Sequence, residues 1–183
     1  MKITLAGVPG SGKSTLRSAL AERYQLTVKG TGDFMRQKAH SHGYQDITRF
    51  LVEYVSQHPE VDREVDEDQW RYGKENDQFV LDAHLGFHFV PDSIKIFLHC
   101  DEVIAARRIL EAKRNSEEAV TLDDSIGALK KRVQTMQRNF KNLYGVDIYD
   151  HGNYDCVIDT SRRSPQDAYE QVVRYIERAL REQ

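Results

Sequence analysis

The sequence predicts a three-layer α/β fold built on a parallel sheet, and three observations carry that prediction. Five short apolar runs recur along the chain, and all but the third and fourth are separated by stretches of helical spacing. The turn after the first run is rich in glycine and ends in Gly-Lys-Ser-Thr. At 183 residues and 39% hydrophobic, the chain is long enough to bury one core, and a single domain over 1–183 is the simplest organisation. Strands that alternate with helices must be joined by crossovers, which makes them parallel and puts helices on both faces of the sheet.

Lys2-Ile3-Thr4-Leu5-Ala6 is the first strand, and Gly7-Val8-Pro9-Gly10-Ser11-Gly12-Lys13-Ser14-Thr15 follows it. That loop has the form G-x-x-x-x-G-K-[ST] and should hold the phosphates of a nucleoside triphosphate. Gly7, Gly10 and Gly12, with Ser11 between them, let consecutive backbone N–H groups turn inward around an anion, and the helix N-terminus adds its dipole. Lys13 brings a mobile positive charge to the β and γ phosphates, and Ser14 is placed to put its hydroxyl on Mg2+. Thr15 also belongs to the binding loop, with its side chain expected to pack the first helical turn against the sheet. The helix from Leu16 to Tyr24 sets Leu16, Leu20 and Tyr24 on one face.

Leu26 to Lys29 is a candidate second strand, closed by Gly30-Thr31-Gly32, with Asp33 capping a helix that runs to about His40. A second helix is predicted over Asp46 to Gln57 and a third, after Pro59, over Val61 to Lys74. Gln78 to Asp82 reads as a buried strand ending on a carboxylate, and Ile94 to Leu98 as the next. Val103 to Arg114 is helical, Asn115 to Glu118 is a polar break, and Asp123 to Tyr144 carries a long helical period. Tyr154 to Asp159 is the last strand. Ser164-Pro165-Gln166-Asp167 then opens a capped C-terminal helix to about Arg181.

Composition excludes several classes. With a net charge of −3 and a pI near 6.2 the chain has no basic stripe for a nucleic acid. Cys100 and Cys156 lie in or beside apolar runs and read as packed thiols in a reducing compartment. No run approaches the roughly 18 apolar residues that span a bilayer, and Met1-Lys2 enters the first strand directly, so a soluble cytoplasmic protein is expected.

Several side chains are candidates for chemistry. Asp82 ends its strand where ligands gather in open parallel sheets, and a carboxylate there can hold Mg2+ beside Ser14. Arg36, one turn beyond a glycine turn, suits either a solvated helix face or a two-pronged clamp on an acceptor phosphate. Arg107, Arg108, Arg114, Arg132 and Arg138 bracket the polar break, as arginines of a closing lid over a triphosphate would, although surface helices carry such residues routinely. Asp82, His84 and His88 have a spacing that a transition metal could use only if a helix ran through them, which Leu85-Gly86-Phe87 does not promise.

Taken in order, these segments resemble the P-loop nucleoside monophosphate kinases, most of all the compact archaeal-type cytidylate kinases. The resemblance runs nearly end to end. It rests on the phosphate loop, Thr31 to Arg36, Pro59 to Asp66, the strand ending in Asp82, Ala106-Arg107-Arg108-Ile109, Tyr144 to Asp147 and the turn Asp159 to Pro165. It implies a sheet of order 2-3-1-4-5, an acceptor-binding helical region at about 33–75 and a lid at about 108–138. It also implies transfer of the γ-phosphoryl of ATP, with Mg2+, to CMP or dCMP by a monomer. Carried over by position, Lys13 and Ser14 serve the triphosphate and metal, Arg36 the acceptor phosphate, and Arg108, Arg132 and Arg138 the lid. Arg162 falls in the turn on the ATP side. Asp33, Asp62, Arg63, Asp66 and Gln69 fall in the region facing the acceptor.

One departure stands out. Where those kinases have an acidic residue, Gly and a phosphate-gripping Arg, this chain has Asp82-Ala83-His84. An imidazole is shorter than a guanidinium, cannot make the two-pronged bond, and is partly charged near neutral pH, so acceptor affinity is expected to weaken as pH rises through its pKa. The departure leaves open a different acceptor (AMP, dTMP or a small alcohol) or an ATP-binding module that transfers nothing.

Overall fold

The computed structural model describes residues 1–112 and 121–182. The strands are β1 (Lys2–Gly7), β2 (Thr27–Gly30), β3 (Phe79–Asp82), β4 (Ile94–His99) and β5 (Cys156–Asp159). Helix α1 (Lys13–Tyr24) joins the first two strands, and α2 (Thr31–Ser41), α3 (Ile47–Glu53) and α4 (Glu60–Glu75) lie between β2 and β3. The single turn α5 (Gly86–Phe89) precedes β4; α6 (Glu102–Ala112) and α7 (Leu122–Tyr144) precede β5, and α8 (Pro165–Arg181) follows it.

All four strand pairings are parallel, in the order β2-β3-β1-β4-β5. Strand order therefore reverses about β1, and the crevice that such a reversal opens at the carboxyl ends of the strands is where ligands bind in folds of this kind. The register sets Leu5 and Gly30 beside Asp82, Gly7 beside Leu98, and His99 beside Asp159 at that edge.

Period-two alternation divides the core. Ile3, Leu5, Val80, Ile96 and Leu98 face α1 and α8, where Leu16, Leu20, Val172 and Ile176 meet them. Phe79 and Leu81, on the opposite face of β3, pack with Val65, Phe87, Phe89 and Ile148, and Met136, Phe140 and Tyr144 of α7 lie against that layer. Each of these side chains contributes roughly 1.5–3 kcal/mol by leaving water. Cys100 and Cys156 are buried free thiols, as the sequence suggests.

Boundaries move where a side chain reaches further than the periodicity shows. Helix α2 starts at Thr31 rather than at a capping Asp33, because the Asp33 carboxylate reaches back to accept the Gly30 N–H at 2.8 Å from inside the first turn. The helix predicted over Asp46 to Gln57 ends at Glu53 and is followed by a 3-10 turn, Val55–Gln57. Asp46 caps it, accepting from Thr48 and Arg49. One helical turn does form after β3, but it includes His88 and not His84. Helix α6 is described to Ala112, so Arg114 and the break at Asn115 to Glu118 lie outside the described residues. Trp70, on α4, is largely exposed.

Candidate active site

The loop between β1 and α1 is wedged into the sheet edge by residues without side chains. A Cβ at Gly7 would lie 2.4 Å from Leu98 O, and one at Gly10 2.6 Å from Ala105 O, so no larger residue fits without moving β4 or α6. Gly12 adopts φ 91° and faces open space. Ser11 donates its N–H to Val8 O at 3.1 Å, and its hydroxyl is buried with no partner among the described residues. That orphaned oxygen is a cost which a hydrogen-bonding ligand would remove.

Lys13 is folded onto its own loop, its Nζ donating to Gly7 O at 2.9 Å and Val8 O at 3.3 Å. Burial lowers its pKa, Asp82 works against that shift, and Arg132 adds to it. Such an ammonium, satisfied only by carbonyls, is poised to exchange them for an anion. Ser14, next on α1, is exposed. Thr15 is exposed too and does not pack against the sheet as expected; Leu16 takes that position, and Thr15 lines a cavity instead.

That cavity, about 280 Å³, opens beside the loop and is lined by Ser11, Gly12, Thr15, Leu16, Arg108, Thr160, Arg163 and Pro165 among others. Apolar and cationic walls in one slot suit a flat ring joined to an anionic chain. Arg108 is held there by α6, donating from Nη2 to Thr160 O at 2.8 Å and from Nη1 to Thr160 Oγ1 at 3.3 Å. Thr160 is a hub that the sequence does not announce. Its buried hydroxyl lies 2.9 Å from His99 O and 3.1 Å from Ser11 O, tying β5 and β4 to the loop. Arg162 is exposed and stands outside the cavity wall; its neighbour Arg163 lines it, with Nη1 donating to Asp159 O at 2.5 Å.

On the other side of Lys13 stand the carboxylates. Asp82 is not an unpaired charge, as its place at the end of an apolar strand suggests, because Arg17 Nη1 donates to its Oδ2 at 3.1 Å. Burial raises the Asp82 pKa, and the charges of Lys13 and Arg17 counter it. Asp33 is held below the usual carboxylate range: burial alone would raise it, but the bonds from Arg36 and the Gly30 N–H outweigh that. Arg36 Nη2 meets Asp33 Oδ1 at 2.6 Å.

His84 departs most from expectation. Its imidazole is half-buried, 6.4 Å from the Phe140 ring, and burial foremost, with Lys13 and Arg132 adding repulsion, pushes its pKa down to about 3. Before any phosphate is bound the ring is neutral near pH 7, so the partial charge expected of it is absent there.

A second cavity, about 410 Å³, is lined by Arg63, Asp66, Glu67, Trp70, His88, Phe89 and Tyr144. Asp66 is its centre: Tyr144 OH donates to Oδ2, and Gln69 Nε2 donates to Oδ1 at 3.0 Å. Gln69 is itself buried and takes a bond from Thr31 Oγ1 at 3.2 Å. Burial raises the Asp66 pKa against the pull of those donors. Asp62 is exposed, one turn before Asp66. On α7, Met136, Phe140 and Tyr144 pack inward at four-residue spacing, and Arg132 continues that row toward Lys13. Arg138 sits about 120° around the helix from Arg132, at 100° per residue, and is exposed. The structure thus gathers Lys13, Arg17, Asp82, Asp33, Arg36, His84 and Arg132 at one crevice, and leaves Arg138, Arg162 and Asp62 at its margins. Arg17 and Thr160 were missed. Only the four-residue step from Lys13 hinted at Arg17, and nothing in the sequence pattern distinguished Thr160.

Ser14 and Asp82 offer the hard oxygen donors that Mg2+ prefers, and among the described residues no group of three His, Cys, Asp or Glu side chains could hold another metal.

The sequence pattern of the AAA domain family matches residues 6–130. The chain is 33% identical over 167 residues to a cytidylate kinase of Pyrococcus horikoshii, covering 91% of this chain and 83% of that protein. It is 34% identical over the same shares to a cytidylate kinase of Pyrococcus furiosus. A 31% match to an S-adenosylmethionine-dependent nucleotide dehydratase of Lacinutrix mariniflava covers 97% of this chain but spans only 36% of that protein. Among solved structures, a shikimate kinase from Bacteroides thetaiotaomicron superposes with a TM-score of 0.64 at 13% identity, covering 97% of this chain and 98% of that one. An uncharacterized protein from Eubacterium ventriosum does so at 0.74 and 15%, over the same shares.

Proposed function

The chain belongs to the P-loop kinases of the AAA domain family, and from that premise we propose that it transfers the γ-phosphoryl of ATP to a nucleoside monophosphate, CMP or dCMP before others. The observation that carries this reading is a pair of cavities, one beside the phosphate loop and one against α4 and α7. One is basic and partly apolar, beside the phosphate loop; the other is lined by Arg63, Asp66, Trp70 and Tyr144. The archaeal cytidylate kinase relatives support cytosine as the acceptor base.

ATP binds with its triphosphate in the loop and its base in the slot walled by Arg108, Thr160 and Arg163. Ser14 and Asp82 would hold Mg2+, whose charge would offset that of the phosphates. The protein's own part is positioning: Lys13 leaves the carbonyls of Gly7 and Val8 for the β and γ oxygens, and Arg36 leaves Asp33 for the acceptor phosphate. Helices α2 to α4 form the acceptor region, and α6 and α7 the lid, with Arg132 and Arg138 closing over the transferring group and excluding water. No general base is needed, since the attacking phosphate oxygen is already nucleophilic. The reading makes the chain a monomeric enzyme of the cytoplasm that needs no partner beyond its nucleotides.

The test is ADP release from ATP and Mg2+ against CMP, dCMP, UMP, AMP, GMP and dTMP, with a control lacking acceptor. Release dependent on CMP or dCMP bears the proposal out, and dependence on AMP or dTMP alone moves the acceptor while keeping the class. Release equal with and without every acceptor overturns it in favour of an ATP-binding module, the reading that Ala83-His84 keeps open.

A further inference from the structure

The acceptor side of the crevice holds two guanidiniums, not one. Arg36 is paired with Asp33, and Arg17, one turn beyond Lys13 on α1, is paired with Asp82. The two pairs flank the same backbone residue. A Cβ built on Gly30 would lie 3.7 Å from Asp33 Oδ2 and 3.7 Å from Asp82 Cβ. Each of the two carboxylates is neutralised by an arginine that can swing away from it.

Arg17 is also incompletely used. Its Nη1 is spent on Asp82, but its Nε is buried and has no hydrogen-bond partner among the described residues, and the side chain keeps 28% of its surface open. A guanidinium kept only to neutralise Asp82 would be expected to turn its fork fully onto the carboxylate or to leave its spare donors in water. Position 84, the nearest alternative on the β3 side, presents an imidazole with no fork at all. We propose that Arg17 contacts the acceptor's phosphate, sharing it with Arg36 from the opposite side of Gly30 and exchanging the Asp82 carboxylate for phosphate oxygens when the acceptor enters. This assignment rests on the acceptor being a nucleoside monophosphate.

Titration calorimetry without metal on the intact chain separates the possibilities, with CMP, cytidine and ATP as probes on wild type, Arg17→Ala and Arg17→Lys. The expected result is CMP binding weakened about tenfold or more in Arg17→Ala and partly restored in Arg17→Lys, with cytidine and ATP binding changed less than about twofold. In turnover the KM for the acceptor should rise more than kcat falls. Thermal melts verify folding; if Arg17→Ala does not fold, Arg17→Lys, which keeps a charge for Asp82, gives the same comparison at a smaller weakening. CMP binding equal to wild type in the folded variants overturns the assignment, as does equal weakening of CMP and ATP, the mark of a residue that only holds Asp82. A wild-type chain that binds none of the monophosphates overturns the acceptor reading and Arg17's role with it, whereas wild-type binding with unaltered variants overturns Arg17's role alone.

Discussion

Lys13 is held by two loop carbonyls against the cost of its burial, so its replacement should leave the fold intact while removing the charge that the proposed transfer sets against the triphosphate. Lys13→Ala is expected to lower ADP release by about a thousandfold or more, with an unchanged melting temperature. Arg36→Ala should raise the acceptor KM and leave that of ATP within about twofold, because Arg36 stands on the Asp33 side of the crevice, away from the loop; steady-state kinetics with each substrate varied will check it. His84 supplies a stability prediction with a definite sign. Unfolded, its imidazole protonates near 6.5, and folded it resists until about 3. Between these values the unfolded chain holds a proton that the native protein refuses, so stability falls as pH drops below 6.5, by up to about 1.4 kcal/mol per pH unit, and is unaffected above it. His84→Gln should flatten that slope in urea unfolding at pH 5 and 7.5, and a slope equal to wild type would show the ring to be solvated.

At the scale of elements, α7 ties the two halves of the site together. Ser125 near its start donates to Ala106 O of α6 at 3.0 Å, and Tyr144 at its last turn donates to Asp66 of α4. Helix α7 thereby spans from α6 to α4, with Arg132 between. Tyr144→Phe leaves Asp66 with only Gln69 and should cost about 1–3 kcal/mol in denaturant unfolding. Much of this level was legible beforehand. Ser164 and Pro165 announced the start of α8, and the Leu16 and Leu20 stripe announced the buried face of α1. What escaped was the start of α2, since a carboxylate that caps from inside the first turn looks in sequence like one that caps from outside.

Over the whole molecule, the sheet order brings the carboxyl ends of β1, β3, β4 and β5 to one edge, and the cavity walled by Ser11, Arg108 and Thr160 opens beside it. Ligands that bridge those halves should stabilise the fold by mass action: ATP and CMP together, each at about 100 times its Kd, should each add roughly 2.7 kcal/mol, read as additive rises in melting temperature. A response to ATP but not to CMP would place the acceptor elsewhere. The sequence by itself determined the fold class, the phosphate loop and the positions of the strands, because those depend on local periodicity and on glycines whose spacing is read within a few residues. Tertiary structure alone decided which charges meet. Arg17 and Asp82 are 65 positions apart, Tyr144 and Asp66 78, and Thr160 and Ser11 149. No local pattern encodes a pairing across such separations. The burial that silences His84 likewise depends on what α7 and the phosphate loop place around it, and not on its neighbours in the chain.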